Sequence, residues 1–199
     1  MHLNSKLLFQ KYAAIYFKSN KKVLEIGPDQ FPDSSYKKII NNKRITWDTL
    51  DIIENEKLTY RSVSNYSFPI KDRKYDIVLS GQVIEQVPEI WRWIKEVARV
   101  CKKDGYVITI APVSWIFHEA PVDCWRIYPD GIKALYKLAG LETEFCKMEC
   151  LEDTHGRSVI PGVSNSYIDN DSRLIKKIKD ISKWPTTFSY DTIAIGRKI

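Results

Sequence analysis

The stretch Lys22-Val23-Leu24-Glu25-Ile26-Gly27-Pro28 constrains the fold of this chain more than any other. An apolar strand runs into an acidic residue and then into a glycine turn. Asp51 closes a second apolar run, 24 positions beyond Gly27. A nucleoside-binding α/β domain requires this arrangement: a tight turn where a ligand passes close to backbone, then a carboxylate for ribose hydroxyls. Each residue also has a plain structural account, with Glu25 capping the turn and Asp51 ending a strand. The pair at this spacing favours the ligand.

The rest of the pattern alternates strands with helices. Residues 3–18 place Leu3, Leu7, Leu8, Tyr12, Ile15 and Tyr16 on one stripe and predict an amphipathic opening helix. Strands are expected near 22–26, 46–51, 58–62, 75–80 and 105–111. A helix over 88–102 opens at Pro88, with Ile90, Trp91, Ile94, Val97 and Ala98 inward. Pro129 opens another helix that Gly140 ends. Residues 142–149 and 187–197 read as the last strands, flanking a turn-rich stretch over 156–170 and a basic helix near 171–183. The alternation argues a mainly parallel sheet with helices on both faces. Its ligand crevice should lie at the carboxyl ends of the strands, where Gly27, Asp51, Ser64, Ser80 and Ala111–Pro112 fall. With 199 residues, one domain is expected: an opening helix over 1–20, a cofactor-binding core over 20–145, and a closing loop, basic helix and strand over 146–199.

The ordered series of motifs resembles the class I S-adenosylmethionine-dependent methyltransferases. Val23-Leu24-Glu25-Ile26-Gly27 is similar to their first motif, and Thr49-Leu50-Asp51-Ile52 to the second-strand motif. The likeness continues through Phe68-Pro69, Lys74-Tyr75-Asp76-Ile77-Val78-Leu79-Ser80, Val83-Ile84-Glu85-Gln86-Val87 and Glu96-Val97-Ala98-Arg99-Val100. It closes with Asp104-Gly105-Tyr106-Val107-Ile108-Thr109. The resemblance implies a Rossmann-like, seven-stranded, mainly parallel sheet whose final strand is antiparallel. It also implies S-adenosylmethionine as cofactor and S-adenosylhomocysteine as product.

Carried over by resemblance, Glu25 meets the amino end of the cofactor, Gly27 and Pro28 form the turn against it, and Asp51 with Ile52 takes the ribose side. Ser80 and Gly81 lie beside the sulfonium. Two departures stand out. The usual second glycine is replaced within Pro28-Asp29-Gln30-Phe31-Pro32, where Asp29 tolerates a left-handed backbone better than most residues but less well than glycine. An aspartate that holds the adenine amino group in relatives is replaced by Ser64 and Asn65, which would serve through a hydroxyl or an amide oxygen. The altered loop leaves a catalytically silent binding protein open. It also weakens a dinucleotide reading, because pyrophosphate needs close backbone approach.

After the fifth strand comes Pro112-Val113-Ser114-Trp115-Ile116-Phe117-His118-Glu119-Ala120-Pro121-Val122-Asp123-Cys124-Trp125-Arg126-Ile127-Tyr128-Pro129. Loops this rich in aromatic and ionisable groups tend to carry function. The block resembles a methyltransferase subgroup with a Trp…His…Pro-x-Asp-x-Trp-Arg pattern, associated with cell-surface polysaccharide synthesis. Methyl transfer from a sulfonium is an in-line displacement, so alignment and proton removal are the tasks left to the protein. His118 is the first candidate base, since histidine titrates nearest neutrality. Asp123 either orients it or serves as base. Trp115 and Trp125 are candidates to stack on an acceptor, Arg126 to grip a phosphate or carboxylate, and His155 to join them from a later loop. A structural reading of the same block makes Asp123 and Arg126 an ion pair and the tryptophans packing.

Net charge is +6, with lysines gathered before Glu25 and a second basic cluster at Arg173, Lys176, Lys177, Lys179 and Lys183. This gives weak support to a negatively charged small-molecule acceptor and is better accounted for by two solvated helix faces. RNA or protein methylation is the alternative within enzymes, and a nucleic-acid partner is disfavoured because no RNA-binding module is apparent. No apolar run is long enough to span a bilayer. No metal motif occurs, and the four cysteines lack CxxC spacing, so a cytoplasmic, thiol-bearing protein is expected.

Overall fold

The computed structural model describes residues 3–115, 117–119, 122–152 and 189–199, together with Leu174, Lys177, Ile178 and Ile181. Most of the predicted basic helix near 171–183, and His155, lie outside the described residues. The elements in chain order are α1 (Leu3–Leu8), β1 (Lys22–Ile26), α2 (Ser35–Ile40), β2 (Thr46–Asp51), β3 (Tyr60–Arg61), β4 (Tyr75–Gly81), α3 (Ile90–Val100), β5 (Cys101–Ser114), α4 (Pro129–Leu138), β6 (Leu141–Glu149) and β7 (Tyr190–Lys198).

The strands form one seven-stranded sheet in the order β3-β2-β1-β4-β5-β7-β6. The first five pair parallel, and β7 is antiparallel to both β5 and β6. The order reverses between β1 and β4, so the crevice opens at the carboxyl ends of those two strands. Alternation along the strands divides the core. Leu24, Ile26, Leu50, Val78, Val107 and Ala194 pack against α3 and α4. Val23, Ile77, Leu79, Ile108, Ile110, Ile193 and Ile195 pack with Leu8, Phe9, Ala13 and Tyr36 on the other face.

Three expectations are corrected. The opening segment is not one regular helix: α1 runs into a π-helical turn (Phe9–Ala13) and then a 3-10 turn (Ala14–Tyr16). Within α1 itself Asn4, Ser5 and Leu8 are buried and Leu3 is exposed; past the change of winding, Phe9 and Ala13 are buried and Ile15 is exposed. On α3 the stripe is Ile90, Trp93, Ile94, Val97 and Ala98, the i, i+3, i+4, i+7, i+8 series. Trp93 is therefore buried, and Trp91 is 44% exposed. Finally, α2 was not anticipated. Ser34 caps it by accepting from the Lys37 N–H at 3.1 Å, and left-handed Asn41 (φ 43°) ends it.

Two contacts bring the opening segment to the crevice. The Asn4 Nδ2 donates to Asp191 Oδ2 at 2.8 Å, and Ser5 Oγ and Tyr36 Oη share a hydrogen bond of 2.7 Å. The buried face of α1 is thus partly a polar clamp, which an apolar stripe does not reveal.

Candidate active site

The residues expected on the cofactor side gather along the carboxyl ends of β3, β2, β1 and β4. Gly27 has φ +68°, and its N–H donates to the Leu50 carbonyl at 2.9 Å, tying the turn to β2. A Cβ on Gly27 would lie 2.3 Å from Val83 Cγ2, so packing and backbone both demand glycine. Pro28 is buried beneath the turn.

Asp29 is not left-handed. Its two carboxylate oxygens accept from the Ser35 N–H at 2.8 Å and the Ser35 Oγ at 2.6 Å. Where relatives carry a second glycine, this chain ties its loop to the start of α2. The loop is thereby shaped by side-chain bonds and not by backbone freedom.

Glu25 is buried. Its Oε2 accepts from Ser34 Oγ at 2.5 Å and from Trp47 Nε1 at 2.7 Å, while Oε1 has no partner. Burial pushes its pKa up to about 7, against the lowering effect of those two donors. Asp51 accepts on Oδ1 from the Ile52 and Ile53 N–H groups, at 2.6 and 3.3 Å. Burial raises its pKa, opposed by these backbone bonds. Ile52, Ile53 and Val63 are exposed near it, since the Ser62 N–H donates to the Asp51 carbonyl at 2.8 Å. Ser64 accepts from the Tyr66 N–H through its hydroxyl at 3.1 Å, and Asn65 is half-buried beside it. Ser80 stands in register with Ile26 at the switch point, and its buried hydroxyl has no partner. Gly81 follows, and a Cβ there would lie 2.1 Å from Tyr36 Oη.

The described residues of the loop after β5 form a strap held by side-chain and backbone bonds. Arg126 Nη1 donates to Asp123 Oδ1 at 2.5 Å and Nη2 to Oδ2 at 2.6 Å. Asp123 Oδ2 also accepts the backbone N–H of exposed His118 at 2.8 Å. The guanidinium holds the Asp123 pKa below the usual carboxylate range. Asp123 therefore meets His118 through backbone and is a weak proton acceptor. Arg126 also reaches the Trp115 carbonyl at 3.4 Å. Trp125 donates its indole N–H to the Val87 carbonyl at 2.9 Å and packs edge-on against Trp91. The Cys124 and Trp125 N–H groups donate to the Glu85 carbonyl, at 2.7 and 3.1 Å, docking the strap on the segment after β4.

Sequence reasoning gave no role to Glu85. Its side chain is buried, Oε2 has no partner, and burial pushes its pKa up to about 8, with Asp191 adding to the rise. The available signal was an acid inside the apolar run Val83-Ile84-Glu85-Gln86-Val87 directly after a strand end.

Known proteins share this architecture. An S-adenosylmethionine-dependent methyltransferase from Archaeoglobus fulgidus is 18% identical, with a TM-score of 0.63, over 97% of this chain and 92% of that one. The fold is that of the class I methyltransferases. Within this methyltransferase fold, residues 34–109 match the family model described as a methyltransferase domain. The match begins just past the Pro28–Asp33 loop. An uncharacterized methyltransferase of Mycobacteroides abscessus is 38% identical over 56 residues, 28% of this chain and 22% of that protein. This chain thus matches only about a fifth of that relative's length. Phosphoethanolamine N-methyltransferase 2 of Haemonchus contortus, solved in complex with S-adenosyl-L-methionine, gives a TM-score of 0.57 at 11% identity, over 98% of this chain and 52% of that one.

Proposed function

We propose that this protein is an S-adenosylmethionine-dependent methyltransferase that O-methylates a sugar, nucleotide sugar or related phosphorylated small molecule in surface-glycan synthesis. The carrying observation is the pair of carboxylates flanking Gly27. Glu25 Oε1 is buried without a partner, and Asp51 is hydrogen-bonded through Oδ1, leaving Oδ2 for a ligand. A buried acceptor lacking a donor suits an ammonium group, and a half-buried carboxylate beside exposed Ile52 and Val63 suits a ribose carrying a base.

The cofactor, when bound, supplies a methyl group already activated on sulfur. In this reading Glu25 accepts from its amino end and Asp51 from the ribose hydroxyls. Ser64 and Asn65 serve the adenine amino group, Pro28 and Ile52 give apolar contact, and Ser80 with Gly81 borders the sulfonium. On the acceptor side, Trp115, Trp125 and His118 line the strap, with His155 a further candidate. Asp123 positions that strap by binding Arg126 and the His118 backbone. With Arg126 engaged in this way, a negative charge on the acceptor is supported by the basic surface alone. A cytoplasmic setting without a nucleic-acid partner belongs to the same reading. Among the described residues, no helix is long and apolar enough to cross a membrane.

The test is incubation with methyl-labelled S-adenosylmethionine and separate panels of nucleotide sugars, tRNA and protein. Label on a nucleotide sugar is the expected result. Label confined to tRNA or protein would reassign the acceptor. Cofactor binding with no transfer to any panel would favour a silent binding protein.

A further inference from the structure

Among the described residues, four buried side-chain oxygens have no hydrogen-bond partner: Glu25 Oε1, Ser80 Oγ, Glu85 Oε2 and Thr192 Oγ1. The reading above uses Glu25. Of the other three, Ser80 and Thr192 share one end and one face of the sheet, and Glu85 stands in the turn that follows Ser80. Ser80 of β4 is in register with Thr109 of β5, and Thr192 of β7 with Ala111 of β5. Strand alternation puts all four on the side of Val78, Val107 and Ala194, the face covered by α3 and α4.

Glu85 comes to this place from the 3-10 turn (Ile84–Gln86) that follows β4. The entry to that turn is pinned across the sheet. The Gln82 N–H donates to the Ile110 carbonyl at 2.8 Å, and its side chain donates to Asp191 Oδ1 at 3.1 Å. Val83, between them, is the residue packed on the Gly27 turn. A buried polar group left without a partner is destabilising. Two of them at one end of one face, with Glu85 in the turn directly after β4, mark a place completed by something polar.

We propose that Glu85 is the charge partner of the cofactor's sulfonium and the base that takes the acceptor's proton, on a polar floor shared with Ser80 and Thr192. This rests on the methyltransferase reading. The groups facing Glu85 are Asp191 from β7, and Asp123 with Arg126 from the strap, the latter two bonded to each other. Near neutral pH, burial keeps the Glu85 carboxyl protonated, with its pKa at about 8. A sulfonium held near it would favour the ionised form, so binding of S-adenosylmethionine would release the proton. The carboxylate then meets the acceptor. The acceptor oxygen forms its bond to the methyl carbon as the carbon–sulfur bond breaks, the electron pair stays on sulfur, and the hydroxyl proton passes to Glu85. A neutral acid beside a neutral thioether remains, and the charge pair that held the cofactor is gone.

The test is calorimetry of the full chain at pH 7 in two buffers of different ionisation enthalpy. S-adenosylmethionine and S-adenosylhomocysteine are titrated into wild type and Glu85→Gln. Both ligands carry the same amino end, so any proton moved at Glu25 is common to both and cancels in the difference. Wild type should release about 0.5–1 proton more with S-adenosylmethionine, and Glu85→Gln should bind both ligands with no such difference. Equal release in wild type, or a difference that persists in the variant, overturns the proposal. If the variant fails to fold, wild type alone decides. Its affinity for S-adenosylmethionine relative to S-adenosylhomocysteine should rise up to about tenfold per pH unit below pH 8, and a flat ratio overturns the proposal. Absence of S-adenosylmethionine binding to wild type would remove the methyltransferase reading and this inference together. Binding without the proton difference removes the inference alone.

Discussion

The strap after β5 and the ends of β1 and β4 make opposite use of their polar groups. In the strap, Asp123 meets Arg126 and the His118 backbone, the Trp125 indole meets Val87, and the whole docks on the Glu85 carbonyl. At the strand ends, Glu25, Ser80 and Glu85 each keep a buried oxygen without a partner. In the loop that looks most catalytic by composition, Asp123, Trp125 and Arg126 are thus already engaged by protein partners. Of the residues with hydrogen-bonding capacity to spare, Glu25 stands out by its spacing to Asp51, while Ser80 and Glu85 are less conspicuous in the sequence. Unmet polar capacity in a buried position points to a ligand more sharply than a high density of ionisable side chains.

Substitutions can break this contrast, the largest effect being expected at Glu85. Glu85→Gln should lower turnover 10²–10⁴-fold, roughly the range for losing a base, with cofactor still bound. His118→Ala is the paired control from the strap. A loss of only a few-fold there sharpens the contrast, and a loss as large as that of Glu85→Gln would move the base back to the strap.

Asp51→Ala should weaken cofactor binding by about 1–3 kcal/mol, read by calorimetry. Wild-type-like affinity would remove the ribose assignment. In the strap, Asp123→Ala and Arg126→Ala should each lower stability by about 1–3 kcal/mol, with the double variant costing less than their sum. Thermal unfolding measures this. Additive losses would mean that the pair does not act as one unit.

A smaller effect concerns pH. Glu25 and Glu85 have folded-state pKa values raised to about 7 and about 8. Between the ordinary carboxylate range and those values, the folded chain holds more protons than the unfolded one. Their contribution to stability is therefore greatest at low pH, falls as pH rises through that window, and levels off above pH 8. The slope is at most about 1.4 kcal/mol per pH unit for each group. Glu85→Gln should flatten the curve between pH 5 and pH 8, and an unchanged slope would contradict the buried, protonated carboxyl.

Much of the fold was legible in the sequence because apolar runs and punctuation agree. The boundaries of β1 and β2 follow their apolar runs, and Gly140 ends α4 with φ +71°. What was not legible has local causes. Six residues of α2 are too few to show a period, so only Ser34 and Asn41 announce it. The π-helical turn at Phe9 breaks the 3.6-residue rule on which the opening stripe relied. Trp91 drew attention as a tryptophan, although the i, i+3, i+4 series from Ile90 selects Trp93. At the site, Glu25, Gly27 and Asp51 stood out by spacing. Glu85 did not, because its importance lies in being buried without a partner, and that depends on how β4, β5, β7 and the strap meet.

The central claim is that the ends of β1, β2 and β4 form an S-adenosylmethionine site in spite of the altered glycine loop. Calorimetric titration of wild type with S-adenosylmethionine, S-adenosylhomocysteine and NADH tests it most directly. Saturable micromolar binding of the first two, with none of NADH, is the predicted result. No binding of either sulfur ligand at millimolar concentration would contradict it and would mean that the Asp29–Ser35 tie has closed the site to this cofactor.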